Sequence, residues 1–592
     1  MPTAVLLAVV AVITHVAVFQ RAFWNPDEGF LATQARILGD GAHLYGGVVD
    51  RKPPVVPYLY AAAFQLFGSG TLWPVKVLAV AAHLATAVLL AVFARRRFGP
   101  TAGLMAGVLY LVASIGLAPP DAMAANFETF MLPASVAAIV LADRGRFAAA
   151  GFAAAVAALT KQSGGAVVLP VLWVAVVAAG RGLGRGGVGG GRWRDRGGRW
   201  VPWWGRCRGR AVGVVGPRTL GLRRGGVGGG AASGGKAMGG VLWGRAVPGG
   251  VALNAAAFGG SAARDEIASG HAAWGVGGRR GGGAPGVAGD DSSAVASGDG
   301  VLRGGVSGAA TRLRLQAVAC VLLGAIVPWV GVALLLGAGR FVFWVVTGSG
   351  GYLSLEGGWL WAVARASGNL GIVAAAGLPL VWAAWRGRRF RADADLWVWL
   401  AASAVGVAAG TRFFGHYFLQ LLPPLVLLGV AGVVRGALRW RTVAGYAALS
   451  ATVFVYLAAT WPQVRLDHIR GVAATVRAET RPGEPLLVWG MNPAVYYFAE
   501  RPPATRFLTA GFLTNFAGGR PDSQIGEAYA VPGSWAQFTE DLARTRPELV
   551  IDDSGNAAYR PERIPRFDQF LKAHYRELER QGATVIYRRI DP

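Results

Sequence analysis

Two short motifs place carboxylates and cations close together in the first sixty residues. Asp27 and Glu28 are adjacent, and Arg51 and Lys52 come directly before two prolines. A carboxylate can take the proton of an attacking hydroxyl, and fixed cations can stabilise a phosphate as it gains negative charge. The motifs predict Asp27 and Glu28 as catalytic acids and Arg51 and Lys52 as ligands of a phosphate. A polar interfacial turn and lysine snorkelling are the alternatives.

A second group of polar residues lies at the ends of apolar segments further along the chain. Its members are Asp121, Asn126, Glu128, Lys161, Tyr352, Arg412, His416 and Tyr417. Arg412 is predicted to bind phosphate as well, because an arginine in that loop departs from the usual loop charge of membrane proteins. The other residues are predicted to support the same pocket, and solvated loop acids or snorkelling cations are the alternative.

The composition predicts that membrane helices position these residues. Hydrophobic residues make up 53% of the 592 and charged residues 15%, whereas soluble proteins carry about a quarter charged residues. The net charge of +26 comes mainly from arginine clusters between apolar runs, which is typical of cytoplasmic loops and indicates no nucleic-acid partner. Cys207 and Cys320 are too few and too far apart for a disulfide framework.

Eleven apolar segments approach the roughly 20 residues that a membrane helix needs. They lie near 3–20, 71–94, 101–118, 127–142, 147–160, 164–180, 315–338, 360–385, 395–410, 417–434 and 442–461. The apolar stretch 54–68 is shorter, which favours a re-entrant or interfacial helix. The predicted fold is therefore mostly α, a polytopic bundle of about eleven spans.

The charge of the loops predicts the orientation of the bundle. Five arginine clusters follow even-numbered spans, so all five fall on one side, which the positive-inside rule makes cytoplasmic. The loops with the carboxylates then face outward, as does the chain after residue 462. We expect a multi-pass plasma-membrane protein with its site and its C-terminal domain outside the cytoplasm.

The last segment, 463–592, is predicted to be a soluble α/β domain, because charges return and short strands alternate with helices. Strands are expected at 485–489, 548–551 and 583–587, and helices at 492–500, 534–544 and 565–580. Ser534 is a candidate helix N-cap. Asp552 and Asp553 close a strand and are expected to be solvated loop acids, with a functional role as the alternative.

The segment 181–310 does not resemble the rest, so the domains are predicted as 1–180, 181–310, 311–462 and 463–592. It holds about 42 of the 88 glycines and no sustained helix or strand period. Three interpretations stay open: a disordered cytoplasmic loop, an Arg/Gly RNA-binding tract and a reading-frame slip. A phosphate-binding loop is disfavoured, because the Gly-Lys-Ser/Thr ending is missing.

Taken in order, these motifs resemble the GT-C membrane glycosyltransferases, most closely the dolichyl-phosphate-mannose–protein mannosyltransferases and the lipid A aminoarabinose transferases. The resemblance covers roughly 1–180 and 311–590. The matching motifs are Asp27-Glu28, Lys52-Pro53-Pro54, Asn126-Phe127-Glu128, Lys161-Gln162, Phe343 to Tyr352 and His416 to Pro424. The resemblance implies that Asp27 is the catalytic carboxylate and that Lys52 binds the phosphate of the lipid carrier.

The expected function is sugar transfer from a polyprenyl-phosphate donor to a hydroxyl of a lipid, glycan or protein acceptor at the outer membrane face. A single displacement with one base would invert the anomeric carbon, whereas two acids would suit hydrolysis. A transporter or lipid-carrier flippase and a non-catalytic scaffold are the alternatives. A divalent metal ion held by the carboxylates and His416 stays open.

Overall fold

The computed structural model describes residues 2–184, 299–348, 358–462, 464–517 and 520–590. Tyr352 therefore lies outside the described residues. Of the predicted insertion 181–310, only the two ends are described, and they continue the helices on either side.

Within residues 2–184, nine helices form the N-terminal half of the bundle. They are α1 Pro2–His15, α2 Pro26–Gly39, α3 Val55–Phe67, α4 Trp73–Phe98, α5 Pro100–Ser114, α6 Pro119–Ala122, α7 Phe127–Asp143, α8 Phe147–Thr160 and α9 Val168–Gly184. Two 3-10 helices, Val16–Gln20 and Gln162–Val167, extend α1 and precede α9. Each of the helices α2, α4, α5 and α6 has a proline within its first two positions. The backbone N–H groups at these positions have no partner within the helix, so the missing N–H of proline costs no helical hydrogen bond.

In the described ranges 299–348 and 358–462, seven helices form the second half of the bundle. They are α10 Asp299–Leu336, α11 Ala338–Val342, α12 Trp359–Ala376, α13 Leu378–Arg386, α14 Ala394–Ala409, α15 Leu422–Val434 and α16 Trp440–Thr460. A π-helical turn, Phe343–Thr347, follows α11, and a 3-10 helix, Gly415–Leu421, leads into α15.

Each of the eleven predicted spans coincides with a helix or with two consecutive helices. Among the described residues, five helices are long and apolar enough to cross a membrane: Thr3–Gln20, Trp73–Phe98, Thr311–Leu336, Gly415–Val434 and Trp440–Thr460. A sixth candidate is the pair α12 and α13, which is bent by 84°. The predicted helical membrane fold is confirmed, and the number of spans stays a prediction.

The two ends of the bundle carry different chemistry. Arg97 lies in the last turn of α4 and pairs with Asp395. At the same end of the bundle, Arg435 pairs with Asp393 at 2.5 Å. Lys76, near the start of α4, instead contacts the loop before α2. Since α4 has 26 residues and a helix rises about 1.5 Å per residue, the two ends are about 39 Å apart.

The C-terminal domain is a four-stranded mixed sheet with helices. Its strands are β1 Leu486–Trp489, β2 Leu549–Asp552, β3 Tyr575–Gln581 and β4 Thr584–Arg589, in the order β1-β2-β4-β3. Its helices are α17 Val464–Glu479, α18 Ala494–Ala499, α19 Gly511–Thr514, α20 Ser534–Thr545 and α21 Pro565–His574. Strands β1 and β2 are parallel and the other pairs are antiparallel. Trp489 stacks on Phe567 at 3.8 Å between ring centres, at the centre of the core.

Two details of this domain differ from the sequence prediction. The predicted helix 565–580 ends at His574, and the chain continues as β3. Most of β3 is exposed, because it is an edge strand, and its charged side chains suit such an edge. Ser534 is the first residue of α20 rather than its N-cap, and its Oγ donates to the carbonyl of Phe512 at 3.5 Å.

Helix α2 packs against the C-terminal domain. Thr33 Oγ1 donates to the carbonyl of Pro493 at 2.9 Å, and Arg36 Nη1 donates to the carbonyl of Tyr497 at 2.6 Å. Gly29 allows the close approach of α18, since a Cβ there would lie 2.9 Å from the Cβ of Ala494. The helix that carries Asp27 is therefore held between the bundle and the C-terminal domain.

Candidate functional site

Asp27 lies in the first turn of α2, where the helix start is well defined. Asn25 is the N-cap, and its Oδ1 accepts from the backbone N–H of Glu28 at 3.2 Å. Pro26 occupies the first helical position. The partial positive charge of a helix N-terminus favours an ionised carboxylate at this place.

Lys52 faces Asp27 across the first long loop. The distance between Lys52 Nζ and Asp27 Oδ2 is 3.0 Å, and the side chains are 31% and 37% exposed, so a ligand can reach both. The loop is fixed by its own contacts: Lys52 N donates to Asp50 at 3.1 Å, and Tyr45 Oη donates to the Lys52 carbonyl at 2.8 Å. Lys52 Nζ also lies 4.3 Å from the ring centre of Phe127, a favourable cation–π distance.

The charges around Asp27 keep it ionised. Burial of its surroundings acts to raise the pKa of Asp27, but the positive charges of Lys52, His416 and Lys161 outweigh burial and lower it below its ordinary value. The neighbouring Asp50 behaves differently, because burial raises its pKa to about 6 despite the opposing charge of Lys52. Asp27 is therefore ionised, and so available as a proton acceptor, at neutral pH.

Glu128 and Lys161 form a second ion pair. Glu128 lies in the first turn of α7 and Lys161 directly after α8. The two side chains are in direct contact and nearly buried. Lys161 Nζ also lies 3.5 Å from the ring centre of Tyr417. The aromatic ring and the carboxylate together fix the position of the lysine.

His416 connects the second pair to Asp121. Its Nδ1 lies 2.5 Å from Asp121 Oδ1, and its Nε2 lies 3.9 Å from Glu128 Oε1. A Cβ on Gly415 would lie 2.5 Å from Asp121 Oδ2, so a larger residue at this position would displace the Asp121 carboxylate. The backbone before it is strained, because Thr411 and Phe413 have φ of 53° and 48°.

Six predicted residues therefore come together at one end of the bundle. We name them the polar cluster: Asp27, Lys52, Asp121, Glu128, Lys161 and His416. Of the other predicted residues, Tyr417 contacts the cluster through Lys161. Arg51 lies next to it, 4.6 Å from the ring centre of Phe512, and its carbonyl accepts from Gln162 Nε2 at 2.6 Å. Tyr352 lies outside the described residues.

Two predicted residues support the loops around the cluster. Asn126 is fully buried, and its Oδ1 accepts from Asn25 Nδ2 at 3.2 Å, which joins the starts of α2 and α7. Arg412 is 5% exposed, and its carbonyl accepts from Arg365 at 3.1 Å. Arg412 lies in the strained loop that precedes His416, so it belongs to the wall of the site.

Glu28, although adjacent to Asp27, has other partners. Its side chain is fully buried, and it accepts from the backbone N–H groups of Trp24 at 2.6 Å and Ala125 at 2.9 Å. Lys76 Nζ lies 3.9 Å from the same carboxylate. Lys76 is not among the residues predicted from the sequence, where its signal is a lysine close to the start of a long apolar helix.

No group of three or more His, Cys, Asp and Glu side chains within the described ranges is arranged to hold a metal ion. The carboxylates of the polar cluster face Lys52, Lys161 and His416 instead. The predicted option of a divalent ion stays open.

A groove of about 840 Å³ lies beside the polar cluster, between the loop 42–47, helix α11 with its π-helical turn, and the C-terminal domain. Its wall includes Tyr45 and Trp344. Tyr45 also bonds the Lys52 carbonyl, and the ring centre of Trp344 lies 5.9 Å from that of Phe512, which contacts Arg51. Tyr45 is therefore a wall residue of the groove that directly contacts a member of the cluster, Lys52.

Part of the chain matches a known protein family. The family model described as dolichyl-phosphate-mannose-protein mannosyltransferase matches residues 51–185. This range contains four members of the polar cluster, Lys52, Asp121, Glu128 and Lys161, and it begins after Asp27. No curated protein matches the chain significantly.

One of two similar solved structures shows the fold of this chain. The crystal structure of ArnT from Cupriavidus metallidurans in the apo state has a TM-score of 0.53 and 16% identity, covering 98% of this chain and 97% of that chain. The oligosaccharyltransferase of Archaeoglobus fulgidus, crystallised with zinc and sulfate, has a TM-score of 0.41 and 11% identity, covering 93% of this chain and 68% of that chain. A TM-score this low does not establish a common fold. The resemblance to GT-C membrane glycosyltransferases is therefore confirmed, with an ArnT-like fold and a segment similar to the mannosyltransferase family.

Proposed function

We propose that this chain transfers a sugar from a polyprenyl-phosphate donor to an acceptor hydroxyl at the outer face of the plasma membrane. The observation that carries the proposal is the Asp27–Lys52 pair, which is partly exposed at one end of an apolar bundle. An ionised carboxylate and a lysine 3.0 Å apart supply both groups that the reaction needs, a proton acceptor and a phosphate ligand.

In the proposed reaction, Asp27 accepts the proton of the acceptor hydroxyl. The oxygen forms a bond to the anomeric carbon while the bond from that carbon to the phosphate oxygen breaks. The electron pair of the broken bond leaves with the polyprenyl phosphate. Asp27 suits this role because the hydroxyl becomes acidic as the new bond forms, so an ionised carboxylate of low basicity is sufficient. One displacement inverts the anomeric carbon.

Lys52 is proposed to hold the phosphate of the carrier, with Arg51 beside it and with Lys161 and Arg412 on the other side of the cluster. Fixed cations stabilise the charge that grows on the leaving phosphate, and they need no reorganisation when the reaction occurs. The contacts of Lys52 to Asp27 and Phe127 fix its position before the donor binds.

Asp121, His416 and Glu128 are proposed to orient the groups that contact the sugar. Glu128 faces Lys161 on one side and His416 on the other, and Asp121 lies against the far nitrogen of His416. These contacts restrict the rotamers of Lys161 and His416. The acceptor, whether lipid, glycan or protein, is proposed to approach from the groove beside Tyr45.

Asp27→Asn tests the function directly. The variant keeps the size of the side chain and removes the proton acceptor, so we expect transfer of labelled sugar to fall by at least about a hundredfold. The assay uses polyprenyl-phosphate-linked hexoses and pentoses, with membranes of a deletion strain as the acceptor. Asp467→Asn, at a carboxylate that is 67% exposed, is the matched control and should transfer normally.

Unchanged transfer by Asp27→Asn would exclude Asp27 as the base. A wild-type protein that moves the lipid carrier across vesicles without forming a glycosidic bond would instead support the transporter hypothesis. A mass-spectrometric comparison of glycans between the deletion strain and the parent identifies the sugar and the acceptor.

A further inference from the structure

Lys76 is a fully buried lysine in the first turn of α4 that the proposed reaction does not use. Its Nζ donates to the carbonyls of Val18 at 2.9 Å and Arg21 at 2.6 Å. A buried ammonium group is costly unless hydrogen bonds and an opposite charge compensate it. Buried ionisable groups in membrane helices are therefore functional candidates.

The opposite charge comes from Glu28. Its Oε1 lies 3.9 Å from Lys76 Nζ, and neither side chain has any exposed surface. The same oxygen accepts from Ala125 N, while Oε2 accepts from Trp24 N. Each oxygen of this carboxylate therefore has a defined partner, and two of the partners are backbone groups of different loops.

The pair connects the segments that carry the polar cluster. Lys76 fixes the end of the segment 16–21. Glu28 fixes the first turn of α2, and Asp27 is the residue directly before Glu28 in that turn. Through Ala125, Glu28 also fixes the loop before α7, and Glu128 follows three residues later in the first turn of that helix. A change at Lys76 is therefore transmitted to Asp27 and Glu128, although Lys76 contacts neither of them in the described contacts.

We propose that Lys76 is a positioning residue for the transfer step, acting through Glu28 to hold Asp27 at its working distance from the phosphate site. The inference rests on the proposed function and assigns to Glu28 a positioning role rather than a direct one. It explains why a carboxylate so close to the site is bonded only to backbone groups and to a buried lysine.

A double-mutant cycle with Lys76→Met and Glu28→Gln tests the proposal. Each single variant should lower kcat at least about tenfold and leave the KM for the polyprenyl-phosphate donor within about threefold, because the phosphate ligands are unchanged. The double variant should lose about as much as either single variant, since both act through one connection. Rates are expressed per folded molecule, measured by size-exclusion chromatography in detergent.

Thr86→Val is the matched control. Thr86 is a fully buried polar residue on the same helix, and its hydroxyl bonds the carbonyl of Ala82 within α4. The control should keep wild-type kcat.

Wild-type kcat in folded Lys76→Met, or losses that multiply in the double variant, would overturn the proposal. Failure of both single variants to fold would also overturn it, because the pair would then serve stability alone. The wild-type protein and Asp27→Asn are assayed in parallel. If the wild-type protein transfers no sugar, the proposed function fails. If the wild-type protein is active and Asp27→Asn is inactive, a wild-type kcat in Lys76→Met excludes only the positioning role of Lys76.

Discussion

At the scale of single residues, Lys52 has two effects that experiments can separate. Its charge lowers the pKa of Asp27 against the opposing effect of burial, and the same charge is proposed to bind the donor phosphate. The first effect governs the pH at which the base is ionised, and the second governs donor affinity. One lysine therefore links the protonation state of the base to occupation of the donor site.

Lys52→Met should show both effects. Without the lysine, burial dominates and the pKa of Asp27 rises, so the acid limb of the kcat profile moves to higher pH. The KM for the donor should rise at least about tenfold. Steady-state kinetics between pH 4 and 8 measure both quantities, with Lys572→Met as the control, because Lys572 is 73% exposed and pairs with Asp568. A raised KM with an unmoved acid limb would contradict the link between Lys52 and Asp27.

The sequence was sufficient to include all six members of the polar cluster among the predicted site residues, because membrane chains tolerate polar groups near apolar spans mainly where they serve a purpose. It could not separate Asp27 from Glu28, since adjacent acids look alike until their partners are known. Lys76 was missed for a related reason. Its partners Val18 and Arg21 are backbone carbonyls 58 and 55 residues away, and a backbone partner leaves no side-chain motif.

At the scale of elements, two glycines bring α8 and α10 into close contact. A Cβ on Gly151 would collide with the carbonyl oxygen of Val321, and one on Gly324 with the carbonyl oxygen of Ala148. Small residues let membrane helices approach until their backbones touch. Neither obstacle is a flexible side chain, so larger residues at these positions must separate the helices.

Gly324→Val should therefore destabilise the bundle by about 1–3 kcal/mol, the usual cost of overpacking. Gly331→Val, seven residues further along the same helix, has open space around it and should change stability little. Thermal unfolding of the two variants in the same detergent measures the difference. Equal midpoints would mean that the contact between α8 and α10 is not tight.

Asp552 should make the C-terminal domain less stable as the pH rises. Burial raises the pKa of Asp552 to about 6, whereas the unfolded value is about 3.9. Stability is fully present below about pH 4 and is lost as the pH rises through 6, by up to about 3 kcal/mol. In Asp552→Asn this loss should disappear, because the side chain no longer titrates while its Oδ1 still accepts from Ser554 N.

Hydrogen exchange of β1 and β2 in the full chain, followed by mass spectrometry from pH 4 to 7 and corrected for intrinsic exchange, measures this change. Asp467→Asn, at an exposed carboxylate, is the control. A wild-type domain that is equally protected at pH 4 and pH 7 would contradict the prediction.

The elements themselves could be predicted in most places, because apolar runs and capping residues are local signals. The exception, 565–580, shows what local signals lack. Residues 575–581 carry charges that suit a helix surface equally well, and only pairing with β4 makes them a strand. An edge strand is defined by its neighbour, which the sequence around it does not contain.

At the scale of the whole molecule, the polar cluster and the arginine pairs lie at opposite ends of α4. This separation is a property of the fold and does not depend on which side of the membrane each end faces. The positive-inside rule predicts that the arginine end is cytoplasmic.

Single cysteines can test this orientation. In a chain without Cys207 and Cys320, Arg566→Cys in the C-terminal domain should react with a membrane-impermeant maleimide in intact cells. Arg388→Cys, exposed at the arginine end, should react only after the cells are opened. The reverse pattern would place the site in the cytoplasm and exclude an outward-facing donor.

The docking of α2 on the C-terminal domain also determines when during synthesis the site can form. Every member of the polar cluster has left the ribosome once residue 416 has emerged, yet the partners of Thr33 and Arg36 lie 460 and 461 residues further along the chain. Until those residues emerge, the helix that carries Asp27 lacks one of the two surfaces that it packs against, the C-terminal domain. The protein therefore carries the chemical groups of its site through the synthesis of the residues after 416 without the framework that aligns them, and the site is completed only after residue 497 has emerged.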